Sequence, residues 1–542
     1  MNKMRMQKQY MVLALAVAMP LCASALELPI TPGPYQGTMD SLTNYACPEW
    51  FRDAKFGIWA HWGPQAVPEM GDWYARKMYD SDEVDRKTGQ HKGPSADYQD
   101  HLARFGHPST NGYKDIIPLW KAEKWEPEQL MKLYKQAGAH YFVSMGSHHD
   151  DFFLWNSKLH RWNSVQMGPH RDVVGEWQKA AKANGLPFGV SEHLGASFTW
   201  FQGSHKSDKT GPLAGVPYDG ANSNYWDLYH FPAEKGDNGW YSKDPRWQQQ
   251  WYYEIKELVD NYHPDLLYSD GAVPFGNEVG LSQIASLYND SLRQHGGQQR
   301  AVYNCKQPSD GRWVQDYERG VGGGIDPHPW QTDTSIGDWF YNKNYKDKQT
   351  HKMYCSPEWV ARTLVDIVSK NGNLLLNVVL RPDGSLDADA EAILHSLAAW
   401  TAVNGEAIYG SRPWLIYGEG SVKPKGGSFN EKFDFSAKDI RFTTKGATLY
   451  AITLGWPDDG KVVIKSLATT ADGSVNKIQR VELLGNKDNF LKRLFGCGGS
   501  LKFTQTADGL TVQLPDKKIS GLTCSLRITG SNLKPVQAAS TP

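Results

Sequence analysis

At 542 residues and 40% hydrophobic content, the chain can hold a large domain and a smaller one, each with its own core. Its 58 basic and 59 acidic residues leave a formal net charge of -1, which excludes a global field for nucleic acid or anionic lipid. Aromatics reach 12%, with 21 Trp and 26 Tyr, a surplus that suits the flat apolar faces of sugars; the basic patch that would accompany base stacking is missing.

The N-terminus carries Lys3, Arg5 and Lys8, an apolar run from Met11 to Leu21, and Ala23-Ser24-Ala25. This predicts a bacterial-type signal peptide over 1–25 and export to the periplasm or beyond. The run is too short to span a membrane, and no later stretch approaches the roughly 20 apolar residues required. Five further cysteines, Cys47, Cys305, Cys355, Cys497 and Cys524, are odd in number and widely spaced, suggesting neither a zinc site nor a dense disulfide framework. A Cys497–Cys524 bridge stays open.

After a Pro/Gly-rich lead-in, Phe56 to His61 reads as a strand broken by Trp62-Gly63-Pro64. Trp125-Glu126-Pro127-Glu128 opens a helix with apolar residues at helical spacing as far as Gly138, and His140 to Ser147 is a buried strand. The pattern repeats with a helix over 171–184, a strand over 188–194, a long aromatic loop over 195–243 and a helix over 245–262. That helix feeds Tyr262-His-Pro-Asp-Leu-Leu-Tyr-Ser-Asp270-Gly271, an apolar strand that ends in an acid and a glycine. Further strands are expected at 301–304, 314–317, 331–336 and 373–379, with helices opening at Ser356-Pro357-Glu358 and Asp387.

Eight strands with intervening helices predict a (β/α)8 barrel over 26–415, with one or two helices missing where strands crowd between Ala301 and Ile336. From Ile416 onward, short alternating segments separated by Gly-containing turns predict an antiparallel β-sandwich over 416–532 and a loose tail over 533–542.

In such a barrel the strand ends share one rim, which would gather His61, His148, His149, Asp150, Glu192, His193, Asp270, Asp316, Glu318 and Asp333. Singly, a strand-end acid or histidine is commonly a cap or a loop hydrogen-bonder; convergence from separate strands is what marks a site. Metal-assisted hydrolysis would take the histidines and carboxylates as ligands, whereas glycoside hydrolysis needs two carboxyl groups flanking a sugar. Alternation places Trp59 beside His61 and Tyr268 beside Asp270, and apolar rings next to hydroxyl-binders suit a sugar with one apolar edge. No metal or cofactor is called for.

Trp50-Phe51-Arg52-Asp53-Ala54-Lys55-Phe56-Gly57-Ile58-Trp59-Ala60-His61-Trp62-Gly63 with Gly71-Asp72-Trp73-Tyr74 resembles the opening of the α-L-fucosidases of glycoside hydrolase family 29. Ser147-His148-His149-Asp150-Asp151-Phe152 and the segments to Asp172 resemble that family's second block, and His263 to Gly271 its nucleophile strand. The resemblance runs from about Trp50 to Trp414. It implies a retaining exo-α-L-fucosidase acting on fucosylated glycans, with a barrel and a C-terminal β-sandwich. Asp270 matches the nucleophile. His61, Asp72, Trp73, His148 and His149 match residues on the fucose hydroxyls, and Trp59 and Tyr268 match aromatics near its C6 methyl. Asp72 stands where many members have Glu, and Lys306 where Arg is common.

For the acid/base, Glu318 lies upstream of Pro329-Trp330-Gln331-Thr332, in the order of the family's acid/base region. Its structural alternative is an ion pair with Arg319 or Arg312. Glu192 is the chief rival, on a strand where relatives often have Tyr; Asp316 and Asp333 follow. Glu192, His193, Lys306 and Trp330 complete the expected substrate-binding set. Carboxyl groups about 5–5.5 Å apart are expected for retention. Activity on α-L-galactosides, or sugar binding without turnover, stays open as an alternative, and the sequence assigns no oligomeric state.

Overall fold

The computed structural model describes residues 26–536 apart from 86, 277, 347–352, 471–472 and 487–499. The expected signal peptide, and Cys497 of the possible bridge, lie outside the described residues.

Eight parallel strands close a barrel in chain order: β1 (Phe56–Ala60), β2 (Tyr141–Ser147), β3 (Phe188–Glu192), β4 (Leu266–Ser269), β5 (Val302–Cys305), β6 (Val314–Asp316), β7 (Trp330–Ser335) and β8 (Gly372–Asn377), which pairs back onto β1. All eight fall on the segments expected from the sequence. Period-two alternation sets their two faces. Trp59, Tyr141, Val143, Leu266, Tyr268, Val302, Val314 and Leu375 fill the barrel interior, while Ile58, Phe142, Val190 and Leu376 pack under the helices.

The helix layer consists of α1 (Pro127–Gln136), α2 (Val173–Ala183), α3 (Pro245–Tyr262), α4 (Glu278–Gln294), α5 (Pro357–Ser369) and α6 (Ala388–Ile408). No helix separates β5 from β6, or β6 from β7, so the barrel lacks two, as the crowding of strands predicts. Sequence reading passes over α4, and the reason is visible. Its Ser282, Ser286 and Asn289 are buried because the N-terminal lead-in docks on them, so the apolar stripe is interrupted. Asn289 alone bonds the backbone of Thr31 and both backbone groups of Tyr35. Among the described residues, no helix is long and apolar enough to cross a membrane.

The C-terminal region contains β9 (Arg412–Glu419), β10 (Ile440–Lys445), β11 (Thr448–Thr453), β12 (Lys461–Ile464), β13 (Lys477–Leu483), β14 (Phe503–Thr506), β15 (Gly509–Gln513) and β16 (Cys524–Ser531). They form antiparallel sheets in the orders β9-β10-β11-β16-β13 and β12-β15-β14, around a separate apolar core. The first sheet begins at Arg412 rather than Ile416. The expected loose tail is docked as far as Val536: the Lys534 N–H donates to Asn476 Oδ1 at 2.9 Å and the Val536 N–H to the Ser466 carbonyl at 3.0 Å.

One buried ionic cluster ties this region to the barrel. Asp366 on α5 accepts from Arg441 Nε on β10 at 2.6 Å and from Lys370 Nζ at 2.7 Å, with all three side chains at most 1% exposed. Removing the shared anion would leave two buried cations uncompensated. Asp366→Ala is therefore expected to destabilise the protein by about 3–5 kcal/mol. Urea denaturation with an unchanged midpoint would refute that account.

Candidate active site

The C-terminal strand ends open onto a cavity of about 600 Å³. Asp270, Glu318, His61, Asp72, Trp73, His148, His149, His193, Trp59, Tyr268 and Lys306 line it; Glu192 and Trp330 do not. Glu192 shares the outward face of β3 with Phe188 and Val190, so its carboxylate meets the helix layer, where it accepts from Trp251 Nε1 of α3 at 3.2 Å. Burial pushes its pKa to about 7, but that proton sits away from the cavity. Trp330 begins β7 at the opposite end of the strand from the rim, and its indole donates to the Lys370 carbonyl at 2.9 Å. Asp150 is also turned away, accepting from the Tyr113 hydroxyl at 2.5 Å.

Asp270 directly follows β4, and its N–H donates to the Glu192 carbonyl at 3.0 Å, which continues the sheet and fixes the acid at the rim. Gly271 then turns with φ +86°, where a Cβ would come within 2.8 Å of the Tyr241 hydroxyl. Asp270 Oδ1 accepts from Lys306 Nζ at 2.5 Å, and Oδ2 lies 3.4 Å from His149 Nε2. Burial opposes the charge on Asp270. The Lys306 ammonium, the His149 hydrogen bond and the neighbouring His193 outweigh it and hold the carboxyl well below the usual range.

Glu318 lies two residues beyond β6. The same Lys306 ammonium reaches it, so one cation bridges the two carboxyl groups. Neither alternative arginine partner applies: Arg319 pairs with Glu431 and Arg312 with Asp310. Burial raises the Glu318 pKa to about 7 against the pull of Lys306, helped by the charges of Asp333 and Asp270. The bridged oxygens lie no more than two short hydrogen bonds apart, slightly closer than the roughly 5–5.5 Å of a retaining pair and well short of the 6.5–9.5 Å of an inverting one.

Asp333 and Asp316 sit on the inward faces of β7 and β6. Asp333 accepts from the Tyr268 hydroxyl at 2.9 Å; Asp316 is engaged by the Gln331 amide at 3.1 Å, within the barrel. Burial, and then the charge of Asp333, drive the Asp316 pKa well above the ordinary carboxylate value.

His61, His148 and His193 present neutral rings. His61 is 3% exposed with neither ring nitrogen hydrogen-bonded, and burial followed by His193 keeps its pKa well below 6.5. Burial takes His193 down to about 3. Gln65 accepts the Ala75 N–H through Oε1 at 3.3 Å, so its amide nitrogen faces His148 Nδ1 at 2.7 Å. His148 therefore carries its proton on Nε2, 3.6 Å from Asp72 Oδ1. Ring nitrogens of His61, His148 and His193 lie within 4.8 Å of one another and could approach a metal ion. A metal-binding histidine donates its other N–H, however, and the Gln65 contact sets His148 the opposite way. Free, neutral donors and acceptors at this spacing match vicinal hydroxyls.

The apolar edge is equally defined. The Trp59 N–H is engaged by Ser191 Oγ at 3.1 Å and the Tyr268 hydroxyl by Asp333, so the two rings, 5.4 Å apart, offer faces rather than polar tips. Sequence reasoning misses Gln65, Trp240, Arg319, Trp339 and Phe429, of which all but Gln65 line the cavity. Trp240 lies in the long aromatic loop over 195–243. The other aromatics of that loop largely pack it: Trp200, Phe201, Tyr229 and His230 are buried. Phe429 carries no signal, since it lies beyond the barrel.

The comparisons agree with this geometry. The α-L-fucosidase family model matches residues 22–406 and the α-L-fucosidase C-terminal domain model matches 433–529. Mouse tissue α-L-fucosidase is 28% identical over 90% of this chain and 92% of its own length. The α-L-fucosidase of Branchiostoma floridae is 27% identical over 90% and 94%. Among solved structures, the Thermotoga maritima α-fucosidase in complex with fucose aligns with a TM-score of 0.66 at 27% identity, covering 91% of this chain and 100% of that one. With both of its parts matched and a bridged carboxyl pair at the rim, the chain belongs to the α-L-fucosidase family.

Proposed function

We propose that the protein is an exo-acting retaining α-L-fucosidase in which Asp270 is the nucleophile and Glu318 the acid/base. The observation that carries this is the pair of carboxyl groups on one ammonium with opposite protonation preferences: Asp270 held ionised, Glu318 able to keep a proton near neutrality. Asp270 attacks the anomeric carbon as its bond to the leaving oxygen breaks, and the Glu318 proton passes to that oxygen. Fucosyl ester and free aglycone result. Glu318, now a carboxylate, takes a proton from water whose oxygen attacks the same carbon and releases Asp270. His61, His148, His149, His193, Asp72 and Trp73 surround the hydroxyls, and Trp59 and Tyr268 take the C6 methyl. A C6 hydroxyl would meet two rings whose polar atoms are engaged, which disfavours α-L-galactosides.

Two abrupt inversions should make α-L-fucose the first anomer seen by NMR during hydrolysis of a fucosyl disaccharide. Appearance of the β-anomer first would end this reading. The acid must be protonated, so kcat/KM should fall about tenfold per pH unit above pH about 7. The substrate is a fucosylated glycan, and the basic then apolar N-terminus supports export to the periplasm or medium.

A further inference from the structure

The connection between β9 and β10 leaves the sandwich and reaches the barrel rim. Its Gly427 N–H donates to the Val321 carbonyl at 2.9 Å and its Phe429 N–H to the Glu318 carbonyl at 2.7 Å, so it pairs with the loop that carries the acid/base. The two backbones are in contact: a Cβ on Gly320 would lie 2.1 Å from the Gly427 oxygen. Glu431 clamps the segment, accepting from Thr334 Oγ1 at 2.6 Å and pairing with Arg319 at 3.3 Å, while its carbonyl accepts from Trp359 Nε1 at 3.2 Å.

This anchoring displays one side chain. Phe429 lines the cavity of Asp270 and Glu318, yet it is 72% exposed and holds φ +57°, a backbone region unfavourable for a bulky residue. Core packing does not account for an exposed ring held that way. Its position does. The proton donor stands on the leaving-group side of a retaining site, and Phe429 is hydrogen-bonded to that donor's own peptide. The fucose methyl edge is already served by Trp59 and Tyr268, deep in the barrel.

We propose that Phe429 is the platform of the aglycone subsite, stacking on the apolar face of the pyranose to which fucose is attached, so that the C-terminal region helps select the substrate. This rests on the fucosidase reading above. The test compares α-L-fucosyl fluoride, whose leaving group offers nothing to stack, with fucosyl-galactose and fucosyl-N-acetylglucosamine disaccharides. Phe429→Ala should lower kcat/KM on the best disaccharide roughly tenfold, the equivalent of about 1.4 kcal/mol, while the fluoride changes less than about twofold and Phe429→Tyr retains activity on both. Equal losses on fluoride and disaccharide, or an unchanged disaccharide, would overturn the platform. An unaltered melting temperature confirms that the variant is folded. Wild-type protein that turned over neither substrate would overturn the fucosidase reading itself, and the platform with it.

Discussion

Asp270→Ala is expected to lower kcat/KM on an aryl α-L-fucoside by about 10⁴-fold, because it removes the atom that forms the covalent bond while leaving the sugar's grip intact. Most of the grip is set without Asp270, although His149 loses a contact: His61 is anchored through its backbone N–H to Asn377 Oδ1 at 3.0 Å, and His148 is set by Gln65. Binding of free fucose should therefore survive far better than turnover. Azide, placed in the space of the lost carboxylate, should restore activity and yield β-L-fucosyl azide, since only one displacement then occurs. Near-wild-type hydrolysis by Asp270→Ala would remove the central assignment. The substitution also deprives Lys306 of its strongest counter-charge and Glu318 of one of the charges that raise its pKa. Any residual activity should accordingly lose its alkaline limb at lower pH than the wild type.

Glu318→Ala should behave differently in every respect. On disaccharides, whose leaving oxygen needs a proton, the loss should be about 10²–10⁴-fold. On fucosyl fluoride or an aryl fucoside with an acidic phenol, formation of the fucosyl ester needs little help, so the ester should accumulate and a burst of phenol should precede slow turnover. Azide should then attack the ester and give α-L-fucosyl azide, the opposite anomer to the Asp270 variant. Because burial is the main cause of the raised Glu318 pKa, the fall in rate above pH about 7 should vanish with the residue. A Glu318→Ala enzyme that kept its alkaline limb would place the acid elsewhere. Asp333 would be the next group to test, since it lines the same cavity, whereas Glu192 faces α3.

Strand positions were legible because each barrel strand is a short apolar run between breakers, and the barrel made its strand ends converge by topology alone. That is why the sequence alone puts His61, His148, His149 and Asp270 on one rim. Where local pattern was overwritten by distant chain, legibility failed. The α4 stripe is interrupted by polar residues that only the lead-in explains. Glu192 and His193 are neighbours in sequence, yet one faces the helices and the other the cavity; a strand's last residues do not declare which parity persists past its end. Trp330 stood close in sequence to the acid/base region but sits at the wrong end of its strand. Phe429 depends on a meeting between segments over a hundred residues apart, for which no short-range pattern exists.

The two helices that the barrel lacks have a consequence of their own. The chain between β6 and β7 is bare loop, and that loop is where the Gly427–Phe429 segment docks. A helix there would have shielded the flank and closed it to visitors. The gap instead acts as a berth through which a segment from beyond the barrel places Phe429 on the cavity wall, so the barrel alone does not supply the whole lining of the site. Exchanging C-terminal regions between members of the family would transplant a piece of the active site along with the support.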